Sequence, residues 1–256
     1  MVGEHELASV TGVERILLRE RRHIPLVLTT FVLFALPCAI ATPPEYNPAI
    51  DPANFTVIVN NPYFTLIPGT TYRYKSNGRD GIEINEVNVT DETKNVMGVT
   101  TRVVRDRVWL NGRLTEETFD CYAQDRKGNV WYFGEDSTEY SKSGKPSKRG
   151  SWEAGINGAK PGMVMQSNPH PGEPYRQEYR KGEAEDMAQV LSLDATVTVP
   201  YGSFKQCLKT KDWSAIEKGS VEYKYYAKEV GNVVLETEGG ERKRVELIGV
   251  IRPHSP

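Results

Sequence analysis

The sequence predicts an all-β, mainly antiparallel fold that closes into a barrel or half-barrel, with long loops and at most one short helix. Three observations predict it. Apolar and polar residues alternate almost without a break over 81–89, the period-two pattern of a strand with one buried face. Turn residues interrupt such runs at spacings of roughly 8–12 residues, the all-β rhythm. Asn111-Gly112 joins two of the runs, and this dipeptide is the strongest short hairpin signal because both residues tolerate positive φ.

The elements follow in order. Residues 42–54 carry four prolines and no periodicity and read as an extended leader. Thr71–Lys75 alternates aromatic with polar residues, and 81–89 follows. Val99–Leu110, rich in Val, Thr and Arg, and Leu114–Tyr122 flank the Asn-Gly turn. A second hairpin is expected over Asp125–Asn129, leading into Val130–Phe133. Residues 134–174, rich in Gly, Pro, Ser and Lys, read as long loops with one or two short strands; such loops are often functional. Pro174–Tyr179 starts a further strand. Glu183–Leu193 places Ala184, Met187, Ala188 and Leu191 at helical spacing, and a strand beginning near Ala188 fits almost as well. Thr196–Phe204, Cys207–Trp213, Val221–Ala227, Val230–Glu236 and Arg244–Ile251 complete about ten strands. A meander of this kind avoids bare edges by closing on itself. The expected organisation is a signal peptide (1–41), the leader (42–54), one β-rich domain (55–251) and a tail (252–256).

Charge and histidine content exclude several chemistries. With 32 basic and 34 acidic residues the net charge is −2, so no basic stripe for nucleic acid is expected. Of four histidines, His5 and His23 precede the apolar N-terminal stretch and His254 is near the end, which leaves His170. A multi-histidine metal site therefore cannot be built, and no cofactor is expected. His170 itself lies between Pro169 and Pro171 and reads as a turn residue.

The N-terminus reads as an export signal. Arg19-Glu20-Arg21-Arg22 precedes the apolar stretch Ile24–Ala41, which ends in Ala39-Ile40-Ala41; basic flank, apolar region and small-x-small site form a secretory signal. The stretch is at the short limit for a membrane span, and Pro25 and Pro37 shorten its helical part. Cys38 follows Leu36-Pro37, a poor context for lipidation, so cleavage near Ala41 and a secreted or periplasmic protein without a membrane span are expected. Cys121 and Cys207 then remain, either as a disulfide or as two separate buried thiols.

Several phrases together resemble a family of uncharacterised secreted bacterial proteins over roughly residues 54–248. They include Asn61-Pro62-Tyr63-Phe64, Gly128–Glu135, Gly150–Gly155, Gly158–Gly162, Val199–Phe204 and Lys224-Tyr225-Tyr226-Ala227. The resemblance implies export and a β-rich domain and brings no activity. The closing pattern from Glu217 to Gly231 also resembles half-barrel and lipocalin-like domains, an architectural likeness that supplies no function.

Candidate sites are of two kinds. Glu116, Glu117 and Asp120 share one strand, with Glu135 and Asp136 on the next, and Glu183, Glu185, Asp186 and Asp194 form another group. Paired carboxyls are what a glycosidase uses. Alternation puts Glu116 and Asp120 on one face and Glu117 on the other; a solvated strand face is the plainer reading. Calcium is not favoured, since the acidic run 183–186 lacks a D-x-D-x-D-G loop. No G-x-S-x-G elbow occurs. The aromatics lead more directly: Trp109, Trp131, Phe133, Trp152 and Tyr175 combine apolar bodies with polar tips where these exist, which suits either a core or a ligand cavity. Trp131 and Phe133 are expected on one strand face, with Val130, Tyr132 and Gly134 on the other. The sequence therefore favours an exported β domain that binds a small apolar or amphipathic ligand or a cell-envelope partner. A carboxylate-dependent hydrolase and a ligand-free structural envelope protein are the alternatives.

Overall fold

Two antiparallel meanders build the fold. The computed structural model describes residues 45–216, 219–239 and 243–253; the segment expected to be a signal peptide (1–41), with His5, His23 and Cys38, lies outside them, as does His254. A 3-10 turn at Pro52–Asn54, β1 (Phe55–Thr56) and a hairpin of β2 (Val59–Asn61) and β3 (Phe64–Leu66) come first. The first meander is β4 (Thr71–Gly78), β5 (Gly81–Val96), β6 (Val99–Leu110), β7 (Arg113–Asp125) and β8 (Val130–Tyr140). An excursion follows with β9 (Pro146–Ser147), β10 (Trp152–Glu153), β11 (Lys160–Met165), β12 (Tyr175–Arg176) and β13 (Glu178–Tyr179). The second meander is β14 (Asp186–Val199), β15 (Gly202–Ser214), β16 (Val221–Ala227), β17 (Asn232–Glu238) and β18 (Lys243–Ile251).

Strand β18 pairs β4 and so joins the two meanders into one sheet. The other side is closed by the five residues Tyr175–Tyr179, which straddle the seam. Tyr175 and Arg176 pair β14, whereas Glu178 and Tyr179 pair β11 at the opposite end of the sheet. Gln177 N–H donates to Asp186 O at 2.9 Å between them. The result is a nearly closed antiparallel barrel. The segment 183–193, readable as helix or strand, is strand from Asp186 onward, because β12 and β15 pair it on both sides and cross-strand partners override a weak helical spacing. Residues 134–174 hold more strand than their composition suggests: β8 runs on to Tyr140, and β11 is six residues long.

Local chemistry explains the turns. Asn111 and Gly112 both have positive φ, +51° and +80°, as the primed hairpin turn requires. The Asn111 side chain also accepts from Ile82 N–H at 3.0 Å and donates to Asp80 O at 2.8 Å, so one residue holds two neighbouring turns at the same rim. Asp125 organises the next hairpin by accepting from Lys127 N–H, Asn129 N–H and the Trp131 indole.

The barrel is apolar at one end and polar at the other. At the closed end Val59, Leu66, Tyr72, Val89, Val104, Val130, Met165, Leu208, Val234 and Leu247 are almost completely buried in one cluster. The β2–β3 hairpin and the folded tip of the β14–β15 hairpin, through Val197 and Val199, pack into it. A second cluster joins Cys121, Ala123, Phe133, Trp152 and Ala154, with Phe55 against them. Burial of this much apolar surface, at about 25 cal/mol per Å², accounts for why the wall of β6–β8 is covered on both sides. Cys121 and Cys207 are both buried, unpaired thiols.

Candidate functional site

A hollow of about 300 Å³ remains inside the barrel above the apolar cluster. Phe64, Leu66, Val87, Val104, Val164 and Val233 supply its apolar wall. Tyr74, Tyr122, Tyr132 and Tyr226 add aromatic faces. The hollow is also lined by Asp106, Asp120, Glu178, Asp186, Glu236 and one cation, Lys224. A second hollow of about 240 Å³ shares Glu178, Asp186 and Lys224 with it and adds Glu183, Asp212 and Glu222. The barrel therefore presents an apolar floor below and a carboxyl-rich wall above.

Register shows how the carboxyls come together. Residues paired across adjacent strands point to the same face. Asp120 of β7 pairs Glu135 of β8, and Glu135 pairs Trp152 of β10, so these three side chains form one row. The row exists because of a bulge. Tyr122 pairs Tyr132 while Cys121 pairs Gly134, leaving Phe133 as an extra residue. An extra residue reverses strand parity: Val130 and Tyr132 face one way before it, and Glu135 joins that same side after it. Gly134 makes the bulge possible, with φ +138° and a would-be Cβ only 2.5 Å from Trp152 O. Gly162 serves the seam likewise, since a Cβ there would sit 2.3 Å from the Gln177 carbonyl carbon and 2.5 Å from Glu178 N. These two glycines let β10 and the 175–179 segment approach closely enough to place Glu178 at the hollow and Trp152 behind Tyr132.

Hydrogen bonding binds the row together. The Tyr132 hydroxyl lies 2.5 Å from Asp120 Oδ1 and 3.2 Å from Glu135 Oε2. One phenolic proton cannot serve two carboxylates, so one carboxyl keeps its own proton and donates it. Electrostatics agree. Burial, then the charge of Glu135, holds the Asp120 pKa well above the usual carboxylate range. Burial raises Glu135 to about 7 and Glu178 to about 8, with neighbouring acids adding to both. Asp106 is half-buried by surface area yet deep in the barrel; burial raises it to about 7, against the hydrogen bond donated by Asn85. Tyr132 stacks on Tyr122 at 4.8 Å between centroids and meets Trp152 edge-on at 5.3 Å.

The opposite wall holds the cation. Lys224 Nζ lies 3.5 Å from Asp212, 3.7 Å from Glu222 and 3.9 Å from Glu236. Burial works against its charge, but Asp212 and Glu236 outweigh it and hold the Lys224 pKa well above the ordinary lysine value. Thr210 donates to Asp212 Oδ1 at 2.5 Å.

The five aromatic candidates are dispersed, and none lines the larger hollow directly. Trp109 lies under the Arg107 guanidinium, 4.9 Å from its ring. Trp131 donates to Asp125 at 3.0 Å and packs on Phe55. Phe133 is fully buried against the same Phe55. Trp152 backs Tyr132, and Tyr175 packs half-buried against the main cluster. Among the carboxyl candidates, Asp120 and Glu135 do meet, whereas Glu117 faces the other way and pairs Arg105, as alternation requires. Glu185 accepts from Gly182 N–H in an exposed turn, and Asp194 bonds Ser192. His170 is an exposed turn residue whose ring contacts Asn168 O. Glu178, Asp212 and Lys224 were not signalled by sequence: each sits in a strand of mixed composition, and only the seam and the β14–β16 register bring them together.

No family profile and no curated protein matches the chain. A crystal structure of a candidate lipoprotein from Parabacteroides distasonis is similar over 74% of this chain and 98% of its own, at 13% identity and a TM-score of 0.41; at those values the likeness carries no argument about this chain. Among the described residues, no helix is long and apolar enough to cross a membrane.

Proposed function

We propose that this chain is an exported small-ligand-binding protein that holds an amphipathic molecule inside its barrel. The observation that carries the reading is the hollow itself: about 300 Å³, lined by apolar and aromatic side chains together with a few polar and charged groups. That volume lies at the lower end of small-molecule sites, which are typically mostly apolar with a few convergent polar groups. A purely structural barrel would fill this space with side chains.

The carboxyl pair Asp120 and Glu135 also raises the hydrolase reading. Glycoside hydrolysis needs the space between two carboxyls for the substrate. Here the Tyr132 oxygen stands between them, fixed by Tyr122 and Trp152. That arrangement supports binding over hydrolysis.

Native mass spectrometry of protein recovered from its own cell envelope or medium tests the proposal. A small adduct is expected, lost in Val87→Phe and Val164→Phe variants that keep a β-type circular dichroism spectrum. An adduct that persists in both variants, or a clean apo mass with no thermal shift across a panel of small amphiphiles, refutes it. For export, N-terminal sequencing of the recovered protein should begin at Thr42; a start near Met1 on secreted material refutes cleavage.

A further inference from the structure

We propose that the ligand's head group is a small organic cation, an ammonium or guanidinium on an apolar body, held where Glu178, Asp186 and Asp212 share the wall of the second hollow. The inference rests on the ligand-binding reading and names the chemistry of its ligand.

Charge balance is the first support. Asp106, Asp120, Glu135, Glu178 and Asp186 line or border the interior, and none has an ion pair to Lys or Arg among the described residues. Such an excess of buried acids costs stability unless protons or a cation neutralise it. An anionic ligand would add to the repulsion.

Unmet hydrogen-bonding capacity is the second. Asp212 is 4% exposed, and its Oδ2 accepts no hydrogen bond; the Lys224 ammonium stands 3.5 Å away. The acceptor therefore holds an ion pair with Lys224 but lacks a close hydrogen bond, beside the second hollow that Asp212 lines. Trp152, also 4% exposed, directs its indole N–H towards Glu135 and Glu178, which it favours in their charged form, without a close hydrogen bond to either. That donor is placed to stabilise either carboxylate once it ionises.

Lys224 is the third support, because its tethered ammonium already sits among Asp212, Glu222 and Glu236. The wall thus accepts this chemistry. The aromatic faces of Tyr122, Tyr226 and Phe64 in the adjoining hollow suit the apolar body.

Hexylammonium, 1-hexanol, hexanoate and calcium chloride, each titrated calorimetrically into the full exported chain at pH 8, test the proposal. Hexylammonium is expected to bind at least about tenfold tighter than 1-hexanol, the scale of one charge-assisted hydrogen bond, and hexanoate weaker than both. Glu178→Gln and Asp212→Asn should each erase most of that preference, and a β-type circular dichroism spectrum with a cooperative urea transition reports that the variants are folded. Equal binding of hexylammonium and 1-hexanol, or preference for hexanoate, overturns the cation and leaves the ligand-binding reading standing. Calcium alone competing at the site overturns the organic cation. Failure of every probe, with an adduct still present on the native protein, overturns the cation alone; failure of every probe and no adduct overturns both readings.

Discussion

Replacing Glu178 by glutamine should make the protein more stable, and increasingly so as pH rises. Glu178 is 9% exposed, and its segment crosses β11 at Gly162 without space for a Cβ. Burial is the main cause that raises its pKa from 4.5 to about 8 in the folded chain. Below pH 4.5 the group is protonated in both folded and unfolded chains, so it contributes no penalty. Between about pH 4.5 and 8 the unfolded chain releases the proton while the folded chain keeps it. The folded state then binds more protons, and stability falls as pH rises. Each tenfold difference in proton affinity between the two states is worth about 1.4 kcal/mol, so by pH 7 the penalty reaches about 3 kcal/mol. Glutamine has nearly the same shape and no charge to desolvate. Urea unfolding of the wild type and Glu178→Gln at pH 4.5, 6, 7 and 8 measures the difference. The curves should nearly coincide at pH 4.5 and separate by about 3 kcal/mol at pH 7. A constant offset across the range would show that Glu178 does not titrate as a buried acid. A variant less stable at every pH would show that its carboxylate is needed charged, which refutes the reasoning.

Four further outcomes follow from the same geometry. Tyr132→Phe removes the hydroxyl between Asp120 and Glu135; it should cost about 1–3 kcal/mol, with the loss in urea unfolding larger at pH 8 than at pH 5, because that hydrogen bond favours ionised Asp120. Gly134→Ala and Gly162→Ala place a Cβ against backbone, and each should lower stability by about 1–3 kcal/mol or more; hydrogen exchange should report the Gly162→Ala loss first in residues 175–179. Asn111→Ala removes two turn hydrogen bonds and should cost about 1–2 kcal/mol, leaving ligand binding unaltered because the turn is remote from the hollow. Cys121 and Cys207, both buried thiols, should react with a thiol reagent only on unfolding, and the native mass should not change on reduction.

Much of the barrel was legible in the chain. The alternation in 71–75 and 81–89, the Asn111-Gly112 turn and the Asp125–Asn129 hairpin all became strands and turns as expected, because each signal is local and acts within a few residues. The separation of Asp120 from Glu117 by strand parity held for the same reason. Phe133 shows where that logic ends. Simple alternation carries Val130 and Tyr132 to one face and predicts Gly134 beside them, but the bulge adds one residue, and Glu135 takes the inward place. Nothing in the local composition marks the bulge, since it depends on Gly134 meeting the Trp152 backbone from another part of the chain. Where the aromatic candidates stand is settled on similar grounds: Trp109, Trp131 and Phe133 find partners in Arg107, Asp125 and Phe55, which a single strand cannot foretell.

The sequence by itself determined that this chain is antiparallel β, where it turns, and which side chains of a regular strand share a face. Those properties follow from backbone sterics and side-chain period, which act at short range. Tertiary structure alone decided that Tyr175–Tyr179 would close the sheet, that Asp120, Glu135 and Trp152 would stand in one row, and that Glu178, Asp212 and Lys224 would face a common hollow. A carboxyl's charge state depends on what surrounds it, and here the surroundings come from strands far apart in sequence. The acids that read as a solvated strand face became a buried, proton-sharing wall only when the barrel closed around them.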